Sequence, residues 1–477
     1  MVEFSALTGG GCVTVTGADA RSTDEGLVRA IGLGSAILFV VGSVIGSGIF
    51  LTTGVMASSI PSASLLLLAW ALGGVIATTG GLTYAEMAAM FPRSGGVYVF
   101  LREAYGQLPA FLYGWVAMLV VLSGGIAAVA VGFADYLSYF VPPLSPQNVL
   151  WSETVPFGTV SLSAGQLTAA GAICVLGAIN YVGVRSGNIV NVVLTVAKVG
   201  GLAALPLLAI VATRVEPSFS PVIPPDLARP AASFGVAMIA VLWTYEAWYF
   251  VTYAAGEIKD PQRNLPRALA AGIAILTTVY LVVNVAYLFA LSIDEMKGVS
   301  RIAERAASAL AGPGGATFVA LTVVLSTFGC NAAALLAGSR LLFAMAADGV
   351  FFPAASRVHP IYRTPHVAIV ALTAWSALLA LSGSYEQLFT YVMFTSILFS
   401  IAAGLALFRL RWKMPDRPRP YRTWGYPVVP LVFIAGSAAF VANTLFERPA
   451  ESLAGLGLLA LGLPAYWYWR RPAARQA

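Results

Sequence analysis

The chain has 477 residues, of which 58% are hydrophobic and 10% charged, and its mean hydropathy is +0.82. Soluble domains hold about a quarter charged residues, so this composition excludes a soluble protein and describes one embedded in a bilayer. Two histidines, three cysteines and a net charge of +6 leave little material for a metal site, a disulfide framework or hydrolytic catalysis.

Residues 1–28 are polar and Gly/Thr-rich and lack a signal-peptide pattern; they are expected to form a disordered cytoplasmic tail. About twelve apolar spans follow, at 31–57, 63–90, 98–139, 164–182, 187–213, 231–257, 267–292, 314–346, 366–383, 386–409, 426–446 and 451–469. The third and eighth exceed one crossing and are expected to tilt or to extend beyond the bilayer. With the N-terminus placed inside, most of the 27 Lys and Arg fall in cytoplasmic segments, the positive-inside distribution. The net charge therefore follows from topology, and nucleic-acid binding is not expected. A multi-pass protein of the cell (inner) membrane with both termini cytoplasmic is the expectation.

The first span contains Val44, Ile45, Gly46, Ser47 and Gly48. Two glycines flanking a serine form helix poorly, and an unravelled turn survives in lipid only inside protein or beside a wet cavity. If the helix opens there, the second half points bare amides and a positive dipole end into the gap, a seat for a carboxylate. The same small residues also suit close helix packing.

In the fifth span Lys198 lies near mid-membrane, too deep to snorkel easily, and marks a functional or structural core position. The sixth span carries Trp243, Thr244, Tyr245, Glu246 and Ala247, with the ionisable Glu246 at the depth that Gly46 has in the first. Paired interruptions five spans apart point to two five-span repeats of inverted topology, with a ligand bound between them near the midplane. Asn331, in the eighth span, either lines that site or links helices. Glu86 reads as a packing residue; Tyr98 and Trp115 could line a pathway or sit at the interface.

Four blocks carry a family resemblance. They are Gly46 to Phe50; Glu86 through Pro92-Arg93-Ser94-Gly95-Gly96 to Arg102-Glu103-Ala104-Tyr105-Gly106; Gly256 to Ala268; and Gly338-Ser339-Arg340 with Asp348-Gly349 and His359-Pro360. In this order they resemble the amino acid–polyamine–organocation superfamily, above all its L-amino acid transporter-like branch. The resemblance implies an all-α membrane fold of about twelve helices, leucine-transporter-like, with a 5+5 inverted repeat and discontinuous helices 1 and 6. It divides the chain into residues 29–213 and 214–411 for the repeats, 412–470 for the last two helices, and a cytoplasmic tail at 471–477. It places a substrate carboxylate on the amides of Ser47 and Gly48. The α-amino group falls among carbonyls near Val44, Ile45, Trp243 and Tyr245, and the Trp243 ring closes over the substrate as a gate. Lys198 is expected where sodium-coupled relatives bind sodium. Glu246 departs from the Gly or Asp common in relatives and leaves the side-chain pocket open. Animal members join a glycoprotein through a cysteine between spans 3 and 4; residues 140–163 here have none, so no disulfide-linked heavy subunit is expected.

The implied function is a secondary active amino acid permease, sodium-independent and either proton-coupled or exchanging, without cofactor or metal. Its expected partners are an amino acid, the lipid bilayer and protons. The alternatives are a polyamine or organic-cation carrier, which Glu246 could serve, and a non-transporting membrane sensor, which would need an output domain. The scarcity of histidine and of clustered intramembrane carboxylates argues against an enzyme.

Overall fold

A computed structural model describes residues 29–155, 158–225, 227–382 and 385–469. The expected tails at 1–28 and 471–477 lie outside these residues. The first span is two helices, α1 (Leu33–Val44) and α2 (Gly48–Ser59), parted at Ile45-Gly46-Ser47. α3 (Ala63–Met90) starts where Ser62 caps the Leu65 amide at 3.3 Å.

The expected single helix at 98–139 is instead divided. α4 (Val97–Tyr105) stops at Gly106, whose φ of +96° ends the helix at little cost for glycine. α5 (Gln107–Val116) then runs through a π-turn (Ala117–Leu122) into α6 (Ser123–Leu137). The connection beyond α6 holds an antiparallel hairpin, β1 (Val149–Val155) and β2 (Gly158–Ser163), which a purely helical expectation did not include. A capping box at Ser163 and Gln166 starts α7 (Ala164–Val182), followed by α8 (Val184–Val211).

The sixth span begins as α9 (Pro230–Tyr245) but does not resume as an α-helix. Glu246 is extended, Ala247 is left-handed at φ +73°, and the chain continues as short 3-10 turns at Trp248–Thr252 and Ala255–Glu257. Next come α10 (Pro261–Ala290), α11 (Ile293–Met296) and α12 (Ile302–Ala347), the last kinked at Gly312 before Pro313. α13 (His366–Ala380), α14 (Tyr385–Lys413), α15 (Val428–Glu447) and α16 (Pro449–Trp469) complete the chain. Among the described residues, ten helices are long and apolar enough to cross a membrane. α13, with 15 residues, is short for it; α16, ending in Tyr466-Trp467-Tyr468-Trp469, is not among the ten.

The broken spans stand at the centre. α1 packs on α10, α8 and α12, and α2 packs on α9 and α12. Glycines on α3 admit this density: a methyl group at Gly73 would lie 2.4 Å from Val241, and at Gly81 2.2 Å from Ile273.

The end of the bundle that carries the basic loops is tied shut. The Ile31 amide donates to the Glu257 carbonyl at 3.0 Å, and the Lys259 amide to the Ile31 carbonyl at 2.9 Å. Arg340 Nε donates to Glu257 Oε1 at 2.7 Å, with both residues buried. Tyr98 and Arg102 donate to Asp348, and Arg93 and Arg102 pair with Glu103. Three of the four blocks that carried the resemblance thus converge at this end, while Gly46 to Phe50 lies at the central break. At the opposite end, the Arg214 guanidinium and the Ser292 cap hold the Glu295 carboxyl down, to about 2.

Candidate functional site

The break in α1–α2 leaves polar backbone in the middle of the protein. The Gly46 amide turns back to the Val44 carbonyl at 2.7 Å, so the helical ladder is lost for one turn. α2 opens at Gly48; the Phe50 amide bonds the Ser47 carbonyl at 3.1 Å, and the Gly48 and Ile49 amides ahead of it precede the first regular bond of the helix. All these residues are buried. Gly48 also permits the contact with α9, since a methyl group there would lie 2.5 Å from Thr244 Oγ1.

Beside this break lies the break at the end of α9. Between them is a cavity lined by Gly46, Ser47, Gly48, Trp243, Glu246 and Asn331, with Val44, Thr244, Ala247, Phe250, Cys330 and apolar side chains of α6 completing the wall. It is small, with about 50 Å³ open to the centres of water molecules. Trp243 lies on the α9 side of the break and Phe250 beyond it. Asn331 Oδ1 is buried without a protein hydrogen bond. Glu246 Oε1 accepts from Tyr249 Oη and from Ser396 Oγ, each at 2.5 Å. Among the described residues no basic side chain pairs with it.

Behind the first break Lys198 Nζ donates to the carbonyls of Ile45 at 2.7 Å, Gly42 at 2.8 Å and Ser326 at 3.2 Å. Its ammonium protons are thereby matched by carbonyls that the broken helix and α12 present. Ser326 Oγ bonds the carbonyls of Ile45 and Gly46 at 2.9 and 3.2 Å. On the other flank Tyr280 Oη reaches the carbonyls of Val44 and Thr244, both at 3.1 Å, so one hydroxyl spans the two breaks. Tyr287 Oη donates to the Ile49 carbonyl at 3.1 Å, and Thr53 Oγ1 to Asn284 Oδ1 at 2.8 Å.

The structure brings together most of the residues singled out from sequence, with two departures. The Ile45 carbonyl points away from the cavity and is taken by Lys198 and Ser326, so it is not placed to receive an amino group. Tyr245 packs on Trp70 and Tyr280, and its Oη donates to the Trp70 carbonyl at 3.2 Å; it does not line the cavity. Glu86 accepts from Arg411 at 2.7 Å and from the Thr423 amide at 2.7 Å, and Trp115 Nε1 donates to the Leu458 carbonyl, both away from the cavity. Sequence reasoning missed Tyr280, Ser326, Tyr249, Ser396 and Phe250. A signal existed for the first: Tyr280, Asn284 and Tyr287 share one face of α10 at helical spacing.

The amino acid permease family model matches residues 31–455. A serine/threonine exchanger of Bacillus subtilis, SteT, is 30% identical over 465 residues, covering 95% of this chain and all of the relative. The human large neutral amino acids transporter small subunit 2 is 31% identical over 93% of this chain and 81% of its own length. The mouse Asc-type amino acid transporter 1 is 28% identical over 93% and 82%.

Proposed function

The chain belongs to the amino acid permease family, within the amino acid–polyamine–organocation superfamily, and on that premise we propose that it carries small amino acids independently of sodium by alternating access. It is a membrane transporter and not an enzyme. The observation that carries the finer reading is the cavity shared by the open N-terminus of α2 and the end of α9. A substrate carboxylate at the Gly48 amide gains the helix dipole and donors without intrahelical partners. Asn331 Oδ1, buried without a protein partner, supplies an acceptor for the ammonium group. The carboxylate seat at the start of α2 favours an amino acid over a polyamine, which carries no carboxylate; the relatives' names likewise favour amino acids.

Lys198 bonds three carbonyls around the first break, as a bound monovalent cation otherwise would. We read residues 29–213 and 214–411 as the two inverted repeats that rock against one another, with Trp243 as the gate on one side. The ion pairs at Glu257–Arg340 and Asp348 close the other side. We read that closed end, and both termini, as cytoplasmic in a cell membrane, a reading supported by the positive-inside distribution of Lys and Arg. No cysteine in residues 140–163 offers a link to a heavy subunit.

The test is a thermal-shift screen of the purified protein, because a ligand that binds only the folded state raises its stability. L-serine, L-threonine and L-alanine should stabilise it and the matching carboxamides should not. Stabilisation by spermidine alone would replace this reading with the polyamine carrier.

A further inference from the structure

Glu246 is a carboxyl group in the middle of a membrane protein, and among the described residues no basic side chain pairs with it. Its polar neighbours are hydroxyls: Tyr249 and Ser396 both bind Oε1, which leaves Oε2 for whatever enters the cavity. The other titratable groups that sense it are Tyr113 of α5 and Tyr84 of α3, phenols that are neutral around pH 7. α2 brings no ionisable residue to it, and on α12 the cavity-lining groups are Cys330 and Asn331. The nearest basic groups by fold are committed elsewhere. Lys198 is held by three carbonyls on the far side of α1. Arg340 pairs with Glu257, and Arg411 with Glu86.

An ionised carboxylate without a partner is costly inside the bilayer. A zwitterionic substrate removes that cost, because its ammonium enters the same cavity. We propose that Glu246 makes this carrier an exchanger: with substrate bound, the ammonium pairs with the carboxylate and the carrier reorients; with the site empty, the unpaired charge holds it back. This rests on the amino acid site described above. A proton can substitute for the ammonium. When the empty site faces an acidic solution, one proton binds the Glu246 carboxylate and the neutral carrier returns. When substrate next arrives, the proton leaves to solvent and the ammonium takes its place. The substrate's own carboxylate enters with the ammonium and is matched by the amides and dipole at the start of α2, so the loaded site leaves no charge bare.

The test compares net efflux with exchange in liposomes loaded with labelled L-serine. Efflux is measured into medium without serine and into medium with serine. For the wild type at about pH 7.5, net efflux should be about tenfold or more slower than exchange, one factor of ten being 1.36 kcal/mol of barrier. Lowering the pH to about 5.5 should bring the two rates together as protonation of a carboxyl near mid-membrane becomes accessible. Glu246→Gln should show net efflux equal to exchange at both pH values, and Glu246→Asp should restore the gap and its pH dependence. The wild-type pH series needs no variant, so the proposal stays testable if Glu246→Gln does not fold. Exchange accompanied by equally fast net efflux at about pH 7.5 overturns this proposal alone. So does a gap that persists in Glu246→Gln. Absence of any serine exchange overturns the underlying amino acid site as well.

Discussion

Replacing Lys198 by methionine keeps the length of the side chain and removes its charge, and the consequence can be worked from its three contacts. The ammonium donates to Ile45, Gly42 and Ser326 carbonyls at 2.7, 2.8 and 3.2 Å, and hydrogen bonds from charged groups contribute about 1.5–3 kcal/mol each. The losses are not equal. The Ile45 carbonyl keeps the Ser326 hydroxyl at 2.9 Å, and the Ser326 carbonyl keeps its place in the α12 ladder. The Gly42 carbonyl is left bare, because the Gly46 amide that would meet it in a regular helix bonds Val44 instead. An orphaned buried carbonyl costs about 1–3 kcal/mol. The expected loss is therefore at least that of the orphaned carbonyl, about 1–3 kcal/mol. Thermal unfolding of the purified variant, followed by tryptophan fluorescence, should fall by several degrees, and sodium should not restore it. Unfolding at the wild-type temperature would show that the lysine does not tie α1, α8 and α12 together.

Three further outcomes follow from the same geometry. Gly48→Leu should abolish the thermal shift caused by L-serine while the protein still elutes as a folded species, since the side chain enters the carboxylate seat and presses on Thr244; a retained shift would remove the carboxylate from that helix end. Trp243→Ala should weaken serine binding about tenfold or more, as a large buried aromatic is lost from the cavity wall; wild-type uptake by this variant would show that the ring is no gate. Tyr280→Phe should cost about 1 kcal/mol of stability and slow transport, because one hydroxyl serves both Val44 and Thr244; unchanged unfolding and unchanged rate would remove it from the site.

The central break was legible from Gly46-Ser47-Gly48, because glycine is a poor helix former wherever it stands and an unravelled turn in lipid implies a cavity. Lys198 and Glu246 were legible for a similar reason: ionisable residues at mid-membrane are costly enough to need a partner or a purpose. The form of the second break was not. Nothing in Glu246-Ala247 announces a left-handed alanine or the 3-10 turns beyond it; those follow from packing on α3 and α10. Gly106 divided the third span because a long apolar run conceals one residue at positive φ. The hairpin at β1 and β2 was passed over in a long connection, although Thr159-Val160-Ser161-Leu162-Ser163 alternates polar and apolar residues at the strand period. The partners of the Ile45 carbonyl, Lys198 and Ser326, were not legible, because sequence shows which residues are freed by a break and not which way each carbonyl turns. Tyr280 was overlooked among many membrane aromatics, although its spacing with Asn284 and Tyr287 marks a polar face on α10 that meets the broken span.

Counterflow of labelled L-serine into liposomes loaded with unlabelled serine tests the site at the α2 N-terminus and the role of Lys198 together. Accumulation should be equal in sodium and in choline medium, with competition by excess L-threonine and none by serinamide. Accumulation that requires sodium, or serinamide competing as well as serine, would contradict these assignments, since the first demands a cation site where Lys198 stands and the second leaves the α2 N-terminus without its carboxylate.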